Sequence, residues 1–529
     1  MRICKVTITI IAVCMLSWTL AAAVKMPKIF SDNMVLQRDM PVPVWGWADK
    51  GEKVTVSFGL QEKTATAGED GKWMVKLDPL KASSALQTMT VSSSESSKSP
   101  NLQIKNILVG EVWICSGQSN MAMALGGVLN AKDEIDAATN PVIRHINVKN
   151  TQNSRKQDDI VDGTWTVCSP QTVAGFTAVG YFFAKALVKE LDMPIGLIGS
   201  NWGGTRIEPW ICPEGFKLYP EFNNIVKQIE EWDSTTETGR AKFVEYIGKM
   251  KEWSPRAEKA IAEKQVVPEL PASPLPPPDH QLPTKLYNAM IGPLIPYAFR
   301  GAIWYQGESN SGDGAAYVTK KKALIEGWRQ LWKQGDFPFY HVQLANYQTS
   351  DPNRPEGGDG YSKLREAQFQ SLAIKNTGMA VIIDIGEARD IHPKNKQDVG
   401  ARLALWALAN DYNKKIEFSG PLYKSCKVEG NKMRIAFEHA DNGLFIGEKK
   451  GLEPAKEIKD GKLGWISIAG GDKKFYFADT QFDGNSLLVS SGNVVNPVAV
   501  RYHFTANPEG LHLYNKEGLP ATPFRTDTW

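Results

Sequence analysis

Four short polar segments each follow a run of apolar residues, and they hold the side chains able to do chemistry. The first is Ser116-Gly117-Gln118-Ser119-Asn120-Met121. A Gly-x-Ser turn can present a serine hydroxyl over the start of a helix, where backbone N–H groups favour a developing oxyanion. Met121 stands where a GxSxG elbow needs its second glycine, so this is a different turn. Taken alone, Ser119 reads equally as a helix N-cap. The second segment is Asn201-Trp202-Gly203-Gly204-Thr205-Arg206. Paired glycines let backbone approach a ligand closely, or simply make a tight turn. The third is Gln306-Gly307-Glu308-Ser309-Asn310, which offers a carboxamide to an oxyanion and a carboxylate to orient neighbours, or forms a hydrogen-bonded polar turn.

The fourth segment runs from Asp384 through Glu387 and Asp390 to His392. A serine is a poor nucleophile until a base takes its proton, and the base needs a carboxylate to hold its tautomer. An Asp two residues before a His supplies both from one loop. The other histidines fit less well. His145 has no nearby acid, His341 lies within an apolar run, and His280 sits in a Pro-rich loop. His439, His503 and His512 belong to the C-terminal stretch.

The elements that must position these segments follow from periodicity. Residues 107–115, 194–200, 301–306, 337–345 and 379–386 are near-continuous apolar runs, predicted as buried strands. Residues 176–191, 316–333, 362–374 and 400–411 have helical spacing. Such alternation predicts an α/β unit with a parallel sheet covered on both faces. Ligands of such sheets bind beyond the carboxyl ends of the strands, where all four polar segments fall.

The segments VWICSGQSNM, SNWGGT, LYNAMIGPLIPYAFRGAIWYQGESN, FYHVQLANY and DIHPKNKQDVGARLAL resemble the sialate O-acetylesterase family of SGNH-type hydrolases. The resemblance spans most of residues 24–529 and is densest from 108 to 410. It implies a flavodoxin-like, three-layer hydrolase fold and a serine esterase removing acetyl groups from sugar hydroxyls. It implies Ser119 as nucleophile, His392 as general base and Asp390 as orienting acid. Many SGNH enzymes place the acid three residues before the His, and here that position is Arg389. Asp384, Glu387 or no acid at all therefore stay open beside Asp390. The implied oxyanion donors are the Ser119 N–H, a glycine of the Gly203-Gly204 pair, and Gln306. Asn201, Gln118 and Glu308 are candidates for support or substrate contact. Arg206 is either a partner for a sialate carboxylate or a structural partner of Glu208. No metal or organic cofactor is required. The implied substrate is an acetylated carbohydrate, 9-O-acetylated sialic acid first. Acetylxylan or another plant glycan suits the same machinery, and a non-catalytic carbohydrate-binding protein is the alternative of a different class.

The flanking sequence frames this unit. Residues 24–107 alternate short apolar runs with turn signals, as in Val54, Val56 and Phe58 facing opposite to Thr55 and Ser57, and predict a small β-sandwich domain. Asp70-Gly71 is a hairpin signal, and residues 92–100 read as an exposed polar loop. The hydrolase domain is expected over 108–411, with a charged and then Pro-rich insertion over about 213–285 that either shapes a substrate mouth or is a surface excursion. Residues 412–529 are β-rich again.

Residues 1–23 read as an export signal, with a basic start, an apolar stretch and Ala21-Ala22-Ala23 as the cleavage pattern, so the mature chain is expected in the periplasm or outside the cell with no stable membrane insertion. Without Arg2 and Lys5 the formal charge drops from +3 to about +1. The near-neutral balance gives no electrostatic case for a nucleic-acid partner. Among Cys115, Cys168, Cys212 and Cys426 no CxxC spacing suggests zinc, leaving buried thiols or one disulfide. The sixteen Trp include Trp113, Trp202, Trp210 and Trp304 near the polar segments, where they would stack on sugar or fill the core.

Overall fold

A computed structural model describes residues 24–94 and 101–529. The export signal expected at 1–23 lies outside the described residues, as does 95–100 of the polar stretch. Ser92 and Ser93, expected in that loop, instead end the strand Ser83–Ser93, where they pair with Thr55 and Val54. Neighbouring strand residues face opposite ways, so Ser92 lies beside half-buried Thr55 and Ser93 beside buried Val54, and the ladder's backbone bonds are indifferent to side-chain polarity.

The centre of the molecule is a parallel sheet. The strands Thr377–Ala380, Phe339–Val342, Gly301–Tyr305, Leu102–Gly117, Ile195–Asn201 and Ile143–Asn147 lie side by side in that order, all parallel. The short strand Trp165–Val167 closes one edge antiparallel. Ile195–Asn201 and Gly301–Tyr305 are buried along their whole length, which is why they read as unbroken apolar runs. Helices cover both faces. Trp113 meets Phe183 of the helix Ala178–Leu191 at 4.9 Å between ring centroids. Trp304, in register with Ser116 and so on the opposite face, meets Trp328 of the helix Ala316–Trp332 at 6.4 Å. The helix Lys396–Asn410 packs directly on Ala178–Leu191, and a Cβ at Gly400 would stand 2.6 Å from Phe182 Cβ. Substitution there would push the two helices apart.

Two expectations for this unit need correcting. The strand Ile143–Asn147 and its edge partner were not anticipated, because IRHIN carries three polar side chains in a short run. The last apolar run leaves the ladder after Ala380, although Ile382 and Ile383 stay buried. Two of its backbone groups bond to side chains instead of a neighbouring strand. Arg402 donates to the Val381 carbonyl at 2.8 Å, and the Gly386 N–H donates to Asn346 Oδ1 at 2.8 Å.

The strand Leu102–Gly117 runs through the expected boundary at 107. Its first part pairs with Val35–Gln37 and Ser83–Ser93, and its second part enters the parallel sheet. Lys53–Phe58 pairs with Gln61–Thr66 and Ser83–Ser93, burying Val54, Val56 and Phe58 as the alternation predicts. Asp70-Gly71 is a turn, with Gly71 at φ +73° and the Lys72 N–H on Asp70 Oδ1, but it does not make a hairpin. Lys72–Leu77 pairs with Val42–Trp47 instead of with the preceding strand, so the turn carries the chain between two ladders. Beyond residue 412 the ladders are antiparallel. Among the described residues no helix is long and apolar enough to cross a membrane. Cys115, Cys168 and Cys212 are buried free thiols, and Cys426 is an exposed one.

Candidate active site

The register of the central strands brings three polar segments to one place. Asn201 and Tyr305 both stand beside Gly117, so three chains leave the sheet from adjacent points. Gly117 makes the turn possible. Its φ is +135°, and a Cβ there would lie 2.1 Å from the Tyr305 carbonyl oxygen. The Gln118 N–H donates to that same carbonyl at 2.9 Å, and the Trp202 N–H donates to the Gly117 carbonyl at 3.1 Å. Ser119 then opens a helix of one turn, Ser119–Ala122. So short a helix adds little macrodipole, and any support for an anion comes from individual N–H groups. Those of Ser119 and Gly203 have no hydrogen-bond partner among the described residues.

His392 comes from beyond the far strand of the sheet and reaches the serine. Its Nε2 lies 2.8 Å from Ser119 Oγ. Its Nδ1 lies 3.3 Å from Asp390 Oδ1, which also accepts the His392 backbone N–H at 2.9 Å. That N–H, with Lys394 next, holds the Asp390 carboxyl below the usual carboxylate range. The other two carboxylates face elsewhere. Asp384 is fully buried and takes two bonds from Arg402, at 2.6 and 2.8 Å. Burial pushes it up, but the Arg402 guanidinium overrides this and keeps it low. Glu387 Oε1 accepts the Lys394 N–H at 3.0 Å and so ties down the loop.

The glycine pair lies against the serine. A Cβ on Gly203 would stand 3.3 Å from Ser119 Cβ, while Gly204, at φ +75°, faces open space. Gln306 is not free to serve an oxyanion. Both hydrogens of its amide are engaged, on the Thr205 carbonyl at 3.1 Å and on Asn310 Oδ1 at 2.7 Å, and its Oε1 accepts from Tyr317 at 2.7 Å. Full burial made these internal bonds obligatory. Gln306 buttresses the Gly203-Gly204 turn from behind. Gln118 Oε1 faces the Gly307 and Ser309 N–H groups, each at 3.4 Å, linking the first turn to the third. Asn201 donates to the Cys115 carbonyl at 3.2 Å and stays within the sheet edge.

Arg206 meets Glu208, the partner that its structural alternative names. Its guanidinium bonds Glu208 at 3.2 Å and Asp313 at 3.2 Å, with Lys320 on the same two carboxylates. The four charges of this cluster cancel, while 42% of the Arg206 side chain stays exposed. Trp113, Trp210 and Trp304 are fully buried and fill the core. Trp202, half-buried, is the one of the four Trp named above that reaches the surface.

Two residues were missed by sequence reasoning. Asn120, next to Ser119, donates to Glu308 and to the Ile391 carbonyl at 3.0 Å. Its Oδ1 accepts from Lys396 Nζ at 2.6 Å, and Lys396 also donates to the Pro393 carbonyl at 2.7 Å. The amide therefore joins the serine turn to the histidine loop. Burial raises the Glu308 carboxyl above its usual range and pulls the Lys396 ammonium down to about 7. The signal was present in GQSN and in DIHPKNK, but a buried lysine looks like a surface one in sequence.

A covered parallel sheet with a hydroxyl, an imidazole and a carboxylate converging at its carboxyl edge is the layout of a hydrolase of carboxylic esters. The family model described as carbohydrate esterase, sialic acid-specific acetylesterase, matches residues 109–240 and 278–408. The chain is 32% identical to sialate O-acetylesterase of Rattus norvegicus, over 94% of this chain and 93% of that protein. It is 30% identical to the Homo sapiens sialate O-acetylesterase, over 93% of this chain and 91% of that one. A solved carbohydrate acetylesterase from Xanthomonas citri superposes with a TM-score of 0.78 at 33% identity, covering 96% of this chain and all of that one. The chain belongs to the sialate O-acetylesterase family and is a carboxylic ester hydrolase.

Proposed function

We propose that this chain removes O-acetyl groups from sugars, 9-O-acetylated sialic acid first, through an acyl-enzyme on Ser119. The observation that carries the reading is the 2.8 Å contact between His392 Nε2 and Ser119 Oγ. Ser119 Oγ attacks the acetyl carbonyl carbon while His392 Nε2 takes the hydroxyl proton. The oxyanion rests on the N–H groups of Ser119 and Gly203. Collapse breaks the bond to the sugar oxygen, which leaves with the proton from His392. Water then gives a proton to His392 and attacks the acyl carbon; collapse breaks the bond to Ser119 Oγ, which takes the proton back from His392, and the acetic acid released ionises to acetate. Asp390 holds the imidazole tautomer. The intact serine–histidine contact speaks against a merely carbohydrate-binding role.

The neutralised Arg206 favours a second substrate, an uncharged acetylated glycan such as acetylxylan. Acetate release from 9-O-acetyl-N-acetylneuraminic acid and from acetylated xylan, each with a Ser119→Ala control, decides between them. Release unchanged by Ser119→Ala would overturn the mechanism.

The same reading takes residues 108–411 as an SGNH-type, flavodoxin-like hydrolase domain with an insertion over about 213–285, and 24–107 as an N-terminal β-sandwich. Residues 412–529 form the C-terminal region. Residues 1–23 are a cleaved export signal placing the enzyme in the periplasm or outside the cell. N-terminal sequencing of the chain recovered from its native host tests this, with a start near residue 24 expected.

A further inference from the structure

The insertion does not stay away from the site. Its Pro-rich end returns at Asp279-His280-Gln281 and docks on the turn that carries Gly203 and Gly204. The His280 ring lies face to face with Trp202, at 4.6 Å between centroids and 6° between planes. Gln281 Nε2 donates to the Gly204 carbonyl at 2.9 Å, and its Oε1 accepts the Arg206 N–H at 3.0 Å. Gln281 itself is held by its N–H on Asp279 Oδ1 at 2.8 Å. Trp202 immediately precedes Gly203, whose Cα hydrogen faces Ser119 Cβ. Trp202 is thus the chain neighbour of the glycine that lies against Ser119.

Trp113, Trp210 and Trp304, which pack in the core, are fully buried. Trp202 and His280 are both only half-buried, so the stacked pair keeps accessible surface. The C–H face of a pyranose packs on such a surface through the ring's negative quadrupole and through burial of apolar area. The loop that brings His280 is stiffened by the prolines at 274 and 276–278, so little ordering is left to be done when a sugar arrives.

We infer that Trp202 and His280 form the sugar-binding wall of this esterase and that the insertion, through His280 and Gln281, sets which alcohol is accepted. This rests on the proposed function above. The quantity that reads it is kcat/KM for a sugar acetate divided by kcat/KM for 4-nitrophenyl acetate, measured on the full chain. The sugar acetate is whichever of 9-O-acetyl-N-acetylneuraminic acid and acetylated xylo-oligosaccharide the wild type cleaves. His280→Ala should lower the ratio roughly tenfold through KM, the scale of one aromatic contact. His280→Phe, which keeps a ring over Trp202, should restore most of it. If both esters lose activity in parallel and the ratio stays put, the pair is only a strut and the inference falls. A wild type that cleaves 4-nitrophenyl acetate in a Ser119-dependent way but neither sugar ester overturns the proposed substrate class, and this inference with it.

Discussion

His392 Nε2 and Ser119 Oγ are 273 positions apart in the chain and 2.8 Å apart in the fold. Their contact spans the sheet, because the strand before Ser119 is central and the one before His392 is at the edge. On the proposed mechanism Ser119 has no base without His392, and His392 has nothing to activate without Ser119. Ser119→Ala and His392→Ala should each lower kcat by at least about 10³-fold, with the double variant little worse than either single one. Steady-state rates of the three variants check this, and a single variant that keeps the wild-type kcat contradicts the assignment.

The two aspartates of the histidine segment should separate cleanly. Asp390→Asn removes the charge beside His392 Nδ1. Its carboxylate is 37% exposed, so the expected loss in kcat/KM is roughly ten- to a hundredfold, short of the four decades of a buried triad acid. Asp384→Asn leaves Arg402 with an uncompensated buried charge and should cost about 3 kcal/mol or more of stability, with an unchanged pH–rate profile. Thermal melts paired with rate profiles distinguish the outcomes; a profile altered by Asp384→Asn would reassign the acid.

Asn120→Ala cuts the link between the serine turn and the histidine loop. Lys396 and Glu308 lose their shared partner in a buried place, at about 2 kcal/mol. Expected is a fall in kcat with KM nearly unchanged, since the variant disturbs the geometry of reacting groups and not the mouth. A rise in KM alone would show that Asn120 contacts substrate instead.

Lys396 makes stability depend on pH in an unusual direction. Burial lowers its folded value to about 7, against 10.5 for an ordinary lysine. Between these values the unfolded chain binds the extra proton, so this group's contribution to stability rises with pH across the window. Lys396→Met lacks the term. The wild type should therefore gain Tm relative to the variant on going from about pH 7 to about pH 9. A constant difference between the two melting curves would remove Lys396 from the account.

Much of the central unit was legible because both-face burial writes itself into sequence as unbroken apolar runs with glycine and polar residues at their ends. Ile195–Asn201 and Gly301–Tyr305 are such runs, and the segments after them do meet. Ile143–Asn147 was not legible, because Arg144 and His145 interrupt a run whose burial comes from its neighbours. Asp70-Gly71 shows the same limit at a turn: local chemistry bends the chain, but the partner strand is chosen by the ladder that forms elsewhere.

By itself, then, the sequence determined the kind of chemistry: a serine after one buried strand, a histidine two residues after an aspartate, and glycines placed for close backbone approach. Only the tertiary structure decided which groups are free to use it. It engaged both hydrogens of the Gln306 amide, gave Asp384 to Arg402, cancelled Arg206 with two carboxylates, and left Asp390 beside His392. The reason is that hydrogen-bond capacity and charge are spent on whatever lies within about 3 Å, and those neighbours come from segments far apart in the chain.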